Sequence, residues 1–457
     1  MKGDPPTGDP SARSGRGPRA RDVAARVLVR VDEDDAFAAA ALEAELARTV
    51  QLVARDRALA TELVYGALRV VPWLLDEVKR FTPRGIESLD GLVRAHLIVA
   101  AYQLFFTRVP AFAAVSEAVE TIRAVRGPRM AAFANAVLRK LALVAETSSG
   151  LELRERAILA STPAWLREAL DRALGLEGAR ALLASSAEPP AVALRVEAPA
   201  ERHEWLAKLR AAVPGATFEP GRVSPRAILA RGAGKPQSLP GWQEGAWTVQ
   251  EEGSQLAALA VGAQPGEILL DACAGRGNKA GVLARAVLPD GAVDACDSNP
   301  SKLERLREDM TRLGLRIRTT PAVDWTVGSA DVPPNYDRVL VDAPCTGVGT
   351  LRRRPEIALR RKPADLPARM RSQVAIAARA TQHVRPGGAL VYAVCSVLRE
   401  ECEDVIDALV AARPELEPAA FGSAEARAIA GDATSFRLLP HVHGTDGYFI
   451  AMLTRRR

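Results

Sequence analysis

Two short apolar runs constrain this chain more than any other feature: Tyr336–Asp342 and Gly388–Val394. Both are ended by small or turn-forming residues, which is the pattern of parallel strands covered on both faces. Covering both faces takes helices on both sides, so the centre of the chain is predicted to be α/β. Each run leads into a cysteine, through Ala343-Pro344-Cys345-Thr346-Gly347 in the first case and Cys395-Ser396 in the second. Ligands of open α/β sheets sit just past the carboxyl ends of the strands, so the two thiols are expected to look into one crevice. A lone cysteine often only fills a core. Two at neighbouring strand ends, one following Asp342-Ala343-Pro344, point to nucleophilic chemistry.

The strand–helix alternation extends to both sides of these runs. From Val249 onward the pattern predicts a helix near 253–262, a strand Glu267–Asp271, and a loop Ala272-Cys273-Ala274-Gly275-Arg276-Gly277-Asn278-Lys279. A helix follows, then a strand Ala292–Cys296 running into Asp297, a helix Ser301–Leu313 and a third strand near Arg316–Ala322. Arg437–Leu439 and Gly447–Leu453 read as an antiparallel pair at the sheet edge. Gly275 and Asp297 are 22 residues apart, the spacing at which an acid meets the ribose of a nucleotide bound on a glycine loop. The loop lacks a full G-x-G-x-x-G, which disfavours a pyrophosphate. An adenosine without phosphate fits better, and that points to S-adenosylmethionine. Asp324 is placed to meet an adenine edge.

Outside this region, residues 1–19 are Pro, Gly, Ser and Arg and are expected to be a mobile tail. Residues 20–143 show helical spacing (Val23, Val27, Leu28, Val31; Leu59, Leu63, Val64), broken at Pro72, Pro83, Pro110 and Pro128. They predict a compact domain of five to seven helices. Further helices follow, with Thr162-Pro163-Ala164-Trp165 reading as a capped helix start. Residues 190 to about 250 mix short strands, a helix near Glu204–Val213, and turns. With 457 residues the chain has room for about three domains. No run of about 18 apolar residues and no signal core appears, so a cytoplasmic protein without a membrane span is expected. The five cysteines form no C-x-x-C pair and the five histidines are scattered, so neither disulfides nor a metal site is expected. A net charge of +6 favours a polyanionic partner.

Two resemblances rest on these residues. Ala54-Arg55-Asp56-Arg57-Ala58, Glu62-Leu63-Val64-Tyr65-Gly66, Tyr102-Gln103-Leu104, Arg108-Val109-Pro110, Ser116-Glu117-Ala118-Val119 and Phe133-Ala134-Asn135-Ala136-Val137-Leu138-Arg139 resemble, as an ordered set, the NusB-type helical domain. In its families that domain binds RNA. The second concerns the thiols. Carbon 5 of cytosine is a poor nucleophile until a thiolate adds to carbon 6, a form of covalent catalysis. That reaction needs a thiolate, a group supporting N3 and the exocyclic amine, and a means of removing the carbon 5 proton. Asp342, Cys345 and Cys395 meet these needs, and Arg352-Arg353-Arg354 could lower a thiol pKa or bind RNA phosphates.

The whole set, from Asp271–Lys279 through Asp297, Asp324, Asp337–Gly349, Arg353–Ile357, Gln373, Pro386-Gly387-Gly388, Tyr392–Ser396 and Asp446–Phe449, resembles the bacterial ribosomal RNA (cytosine-5) methyltransferases that carry a NusB-like N-terminal domain. The resemblance implies that Cys395 is the nucleophile and that Cys345 assists product release. Cys273, Ala274, Gly275, Arg276, Gly277, Asn278, Lys279, Asp297, Asp324 and Asp342 would line the cofactor and base sites. It further implies four parts: the tail 1–19, a NusB-like RNA-binding domain 20–145, a helical linker with a small α+β subdomain 146–250, and a Rossmann-like S-adenosylmethionine-dependent catalytic domain 251–457. The implied substrate is a cytidine of small-subunit (16S) ribosomal RNA, unassembled or partly assembled, bound by a monomer. Transfer RNA, a DNA cytosine methyltransferase and a non-catalytic ribosome-assembly factor are the competing readings. Two departures stand out. The family's Pro-Gly-Gly-Lys-Thr is Arg276-Gly277-Asn278-Lys279-Ala280, where Asn278 is expected to hold a turn at positive φ, and its Thr-Cys-Ser is Val394-Cys395-Ser396.

Overall fold

The computed structural model describes residues 19–148, 150–328 and 332–457. The tail predicted for residues 1–19 lies, save for Arg19, outside the described residues. The chain divides into two compact units, one running up to Thr162 and including Arg354–Glu356, the other comprising Pro163–Arg353 and Ile357–Arg457.

Among the described residues the first unit holds six α-helices: α1 (Ala20–Glu33), α2 (Ala38–Arg48), α3 (Ala54–Lys79), α4 (Gly91–Phe106), α5 (Ala111–Glu146) and α6 (Leu151–Ser161). The helix α4 is apolar almost all round, and Leu97, Ile98, Val99, Ala100 and Ala101 are buried, so it is the axis around which the others pack. Pro72 lies inside α3 beside a non-helical Val70, because proline removes one ladder bond and crowds the preceding turn. Gly127, at φ 80°, breaks α5 one residue before Pro128. Among the described residues α3 is the one helix long and apolar enough to cross a membrane, but Leu63, Val64, Leu68 and Leu74 are buried in the bundle.

The second unit opens with α7 (Ala164–Ala184), whose start matches the prediction. The cap does not: Thr162 Oγ1 donates backwards to Ile158 O at 2.8 Å instead of accepting from the new helix. Then come β1 (Val192–Val196), α8 (Arg202–Ala212), β2 (Thr217–Pro220), β3 (Ala227–Arg231) and β4 (Trp247–Val249). The strands form an antiparallel sheet of order β2-β3-β1-β4, with its own core around Trp247, Leu194, Phe218 and Leu209.

The main sheet follows: α9 (Glu252–Leu259), β5 (Ile268–Asp271), α10 (Asn278–Ala286), β6 (Ala292–Ala295), α11 (Pro300–Arg312), β7 (Tyr336–Asp342), α12 (Glu356–Arg360), α13 (Asp365–Thr381), β8 (Val384–Val394), α14 (Glu403–Ala412), β9 (Leu416–Pro418), α15 (Ala424–Ala430), β10 (Ser435–Leu438), α16 (Pro440–His443) and β11 (Tyr448–Arg455). Its order is β10-β11-β8-β7-β5-β6, with β9 also paired to β11. Strands β6, β5, β7 and β8 are parallel and β11 is antiparallel to β8.

Both faces are covered, as the apolar runs require. In β8, Leu390, Tyr392 and Val394 enter one core beside Ile376 and Ala377 of α13 and Val405 of α14. The alternate residues Ala389, Val391 and Ala393 enter another beside Leu256 of α9 and Leu283 of α10. One sequence expectation is corrected. Residues 316–322 form no strand; they run alongside β6 and the residues after it through the isolated bridges Asp294↔Thr319 and Asp297↔Ala322 and the Arg318–Asp294 ion pair. The closing pair β10 and β11 is antiparallel and forms one edge of the sheet, as expected, with β11 between β10 and β8.

Candidate active site

Strand order reverses between β5 and β7: β6 follows on one side of β5, while β7 and β8 lie on the other. That switch point opens a crevice at the carboxyl ends of the strands, and the singled-out residues converge on it.

The loop after β5 is fixed by its backbone. Ala272 N bonds Leu340 O, Ala274 N bonds Cys296 O at 2.7 Å, and Gly277 N bonds Ala274 O, while Trp325 Nε1 donates to Ala272 O at 2.7 Å. Gly275 and Gly277 take positive φ of 57° and 86°. Asn278 does not: it is the first residue of α10, so the glycines alone make the turn and the expectation for Asn278 is corrected. Its carbonyl accepts from Arg195 of β1 at 2.5 Å. Arg195 is fully buried and also bonds Gln250 and Glu197, so it ties the small sheet to the start of α10.

At the end of β6, Asp297 is 7% exposed and heavily engaged. It accepts from Gly275 N at 3.0 Å, Asn299 N at 2.9 Å and Lys302 Nζ at 3.2 Å. A ribose could reach its carboxylate only by sharing it with, or displacing, Lys302. Asp324 is exposed and closes its own turn by accepting from Thr326 N and Thr326 Oγ1 at 2.9 and 2.6 Å. Those bonds hold its carboxyl below the usual range.

Deeper in the crevice, Asp271 is fully buried and no side chain donates to either of its oxygens. Burial, and then the charge of Asp342, push its pKa up to about 7. Asp342 meets Lys279 Nζ at 2.5 Å. Burial alone would lower the Lys279 ammonium, but the charge and hydrogen bond of Asp342 outweigh it, and the pKa is raised. Cys273 is half-buried with its thiol pushed well up, first by burial and then by Asp271.

The two predicted thiols come together. Strands β7 and β8 are neighbours with Asp342 opposite Ala393, and Cys345 Sγ lies 3.3 Å from Cys395 Sγ. That hydrogen bond, with burial second, pushes the Cys345 thiol well above its ordinary value. The loop bearing Cys345 hangs on Glu401, which is fully buried. Glu401 accepts from Thr346 N at 2.8 Å, from Thr346 Oγ1, and from Gln373 Nε2 at 3.1 Å. Gln373 also donates to Pro344 O at 3.0 Å, Arg361 Nε to Thr346 O at 3.1 Å and Arg369 to Cys345 O at 3.4 Å. On the Cys395 side, Gly349 N donates to Cys395 O at 3.1 Å, and Gly349 O accepts from Gly447 N at 2.7 Å.

Of the cluster Arg352-Arg353-Arg354, Arg352 and Arg353 clamp Asp446 at 2.8 and 2.7 Å and are largely buried, while Arg354 is exposed. Asp446 N in turn donates to Glu251 at 2.8 Å. Sequence reading missed Lys302, Glu401, Arg361 and Arg369. Lys302 carried a weak signal, lying in the first turn of the helix after Asp297. The others make contacts that no local spacing announces.

The chain is similar to known methyltransferases. The family described as 16S rRNA methyltransferase RsmB/F matches residues 258–454, and the NusB family matches residues 18–143. A Mycobacterium tuberculosis protein named as a methyltransferase is 37% identical, covering 96% of this chain and 98% of its own length. The ribosomal RNA small subunit methyltransferase B of Shewanella oneidensis is 30% identical, covering 88% of this chain and 91% of its own. The crystal structure of PH0851 superposes with a TM-score of 0.78 at 23% identity, over 96% of this chain and 99% of that one. At that identity it supports the fold.

Proposed function

From the premise that the chain belongs to the RsmB/F family of 16S rRNA methyltransferases, we propose that it methylates carbon 5 of a cytidine in small-subunit ribosomal RNA through a covalent adduct at carbon 6. The observation that carries this reading is the pair of thiols 3.3 Å apart at adjacent strand ends. The NusB-like domain, residues 18–143, would dock the RNA in the cytoplasm.

The crevice fits S-adenosylmethionine. Asp271 is a buried acid that no side chain serves, suited to a cationic ligand, and the space beside Gly275 where a Cβ would stand is open. Bound there, the cofactor supplies an electrophilic methyl group. Residues 273–279 would cradle it, Asp297 would accept from the ribose hydroxyls once Lys302 yields, and Asp324 would flank the adenine.

The remaining chemistry belongs to the chain. Cys395 adds as a thiolate to carbon 6 of the cytosine, forming an S–C6 bond and moving the ring electron pair toward carbon 5. Asp342, held by Lys279, supports N3 and the exocyclic amine as charge shifts. After the methyl group is gained, Cys345 takes the carbon 5 proton, and the pair left behind re-forms the double bond and expels Cys395. Cys345 suits this late role because its hydrogen bond to Cys395 is the first cause of its raised pKa. Once Cys395 is bonded to carbon, that cause is gone, and burial, Glu401 and Asp342 are what still raise the Cys345 thiol.

The test separates the two thiols. Cys345→Ala should attack and transfer, then stall as a denaturation-resistant protein–RNA complex that nuclease removes. Cys395→Ala should give neither methylation nor complex, and the double variant should give no complex. A stalled band from Cys395→Ala instead would reverse the roles, and full activity in both single variants would discard the two-thiol mechanism.

A further inference from the structure

The helical unit holds a cavity of about 530 Å³, within the range of about 300–1,000 Å³ typical of small-ligand sites. One wall is the turn between α3 and α4, with Pro83, Arg84 and Leu89; the other is α5 just after its break, with Arg129, Met130 and Phe133. The break itself, Gly127 at φ 80° followed by Pro128, starts a new helical segment, and residues 129 and 133, four apart, share its face.

The cavity joins two unlike features. Leu89, Met130 and Phe133 are only half-buried and give it an apolar wall with an aromatic ring. Arg84 and Arg129 are exposed, and neither guanidinium has a hydrogen-bond or ion-pair partner among the described residues. Nearby cations are already occupied: Lys79 with Glu87, Arg80 with Glu77 and Arg126 with Asp90. The local acids are therefore spoken for, and the two arginines at this cavity are left to an outside anion.

We infer that this cavity takes an unpaired nucleotide of single-stranded RNA, its base against Phe133 and its flanking phosphates at Arg84 and Arg129. The inference rests on the RNA-methylating function proposed above. Base-on-aromatic stacking beside arginine is the common means of holding single-stranded RNA. Phe133 supplies the ring, and the chain's net charge of +6 favours the same partner.

The test uses the full chain and a short labelled single-stranded RNA of mixed sequence, alongside unmethylated 16S ribosomal RNA as methyl acceptor. Phe133→Leu, which keeps an apolar side chain and removes the ring, should weaken RNA binding roughly tenfold. Arg84→Gln with Arg129→Gln should lower the slope of log affinity against log salt by about 1.4, at about 0.7 per phosphate contact in single strands. Both should raise KM for ribosomal RNA and leave kcat at saturating RNA and S-adenosylmethionine affinity unchanged. RNA carrying 4-thiouridine should photocrosslink to peptides spanning residues 82–89 or 129–133. Unchanged affinity and salt slope in both variants, or crosslinks only elsewhere, would overturn the site. RNA binding through the cavity without methyl transfer would sink the proposed function and leave the site standing; methylation unaffected by the variants would do the reverse.

Discussion

Glu401 shows how one residue governs the reactive geometry without meeting the substrate. Its carboxylate is fully buried and gathers the Thr346 amide, the Thr346 hydroxyl and the Gln373 amide. Cys345 sits between the points where Gln373 holds Pro344 and Glu401 holds Thr346. A buried hydrogen bond to a charged acceptor contributes about 1.5–3 kcal/mol. Glu401→Gln keeps the shape but turns one acceptor oxygen into a donor facing the Thr346 hydroxyl. The expected outcome is a stability loss of about 1–3 kcal/mol, a lower kcat, an unchanged KM for S-adenosylmethionine, and accumulation of the RNA adduct from a displaced Cys345. Wild-type kcat with no adduct in the variant would show that Glu401 only stabilises the fold.

At the scale of elements, the site is made by the ends of β7, β8 and β11 meeting. Because β7 and β8 pair in parallel with Asp342 opposite Ala393, the residues that follow both strands leave the sheet on the same side. The turn beyond Cys345 then comes back so that Gly349 bonds Cys395 O and Gly447, just before β11. That approach leaves no room for a side chain: a Cβ on Gly349 would lie 2.0 Å from Gly447 O and 2.6 Å from Gly447 C. Backbone cannot swing aside as a flexible side chain can. Gly349→Ala should therefore destabilise the protein by about 1–3 kcal/mol and reduce methyl transfer by displacing the Cys395 segment. Gly422→Ala, where nothing lies within 4 Å of the added Cβ, should be neutral or slightly stabilising. Thermal unfolding and methyl transfer measured on the two variants check this; a Gly349→Ala protein as stable and active as wild type would contradict it.

Over the whole molecule, one buried acid, Asp271, and one partly buried acid, Glu251, shape the response to pH. Burial first, then neighbouring carboxylates, raise Asp271 from 3.8 and Glu251 from 4.5 to about 7 each. Between those limits the folded chain keeps protons that the unfolded chain has released. The contribution to stability is thus complete below about pH 4 and is lost as pH rises through about 7. The ligand-free protein should show a Tm component that falls across this window. Asp271→Asn, which cannot ionise, should flatten it; identical pH profiles for variant and wild type would show that Asp271 is ionised throughout. Addition of a cationic ligand that favours the Asp271 carboxylate should shift the fall to lower pH.

Much of this was legible in the chain itself. The apolar stretches 339–341 and 389–394 within the two runs gave strands buried on both faces, because a residue period of two filled with apolar side chains has no wet side. The glycine loop and the acid 22 residues on located the crevice, because a turn, the helix α10 and the strand β6 together span that distance. What local pattern does not carry is the partner of each charge. Arg352 and Arg353 look like an open basic cluster in sequence, yet their acid, Asp446, lies more than 90 residues away. Lys279 on Asp342 and Glu401 under Thr346 are likewise decided by which strand ends meet. The closeness of the two thiols belongs to both levels. The sequence by itself placed each cysteine at the end of a strand, and only the parallel pairing of β7 with β8 brought their sulfurs to 3.3 Å.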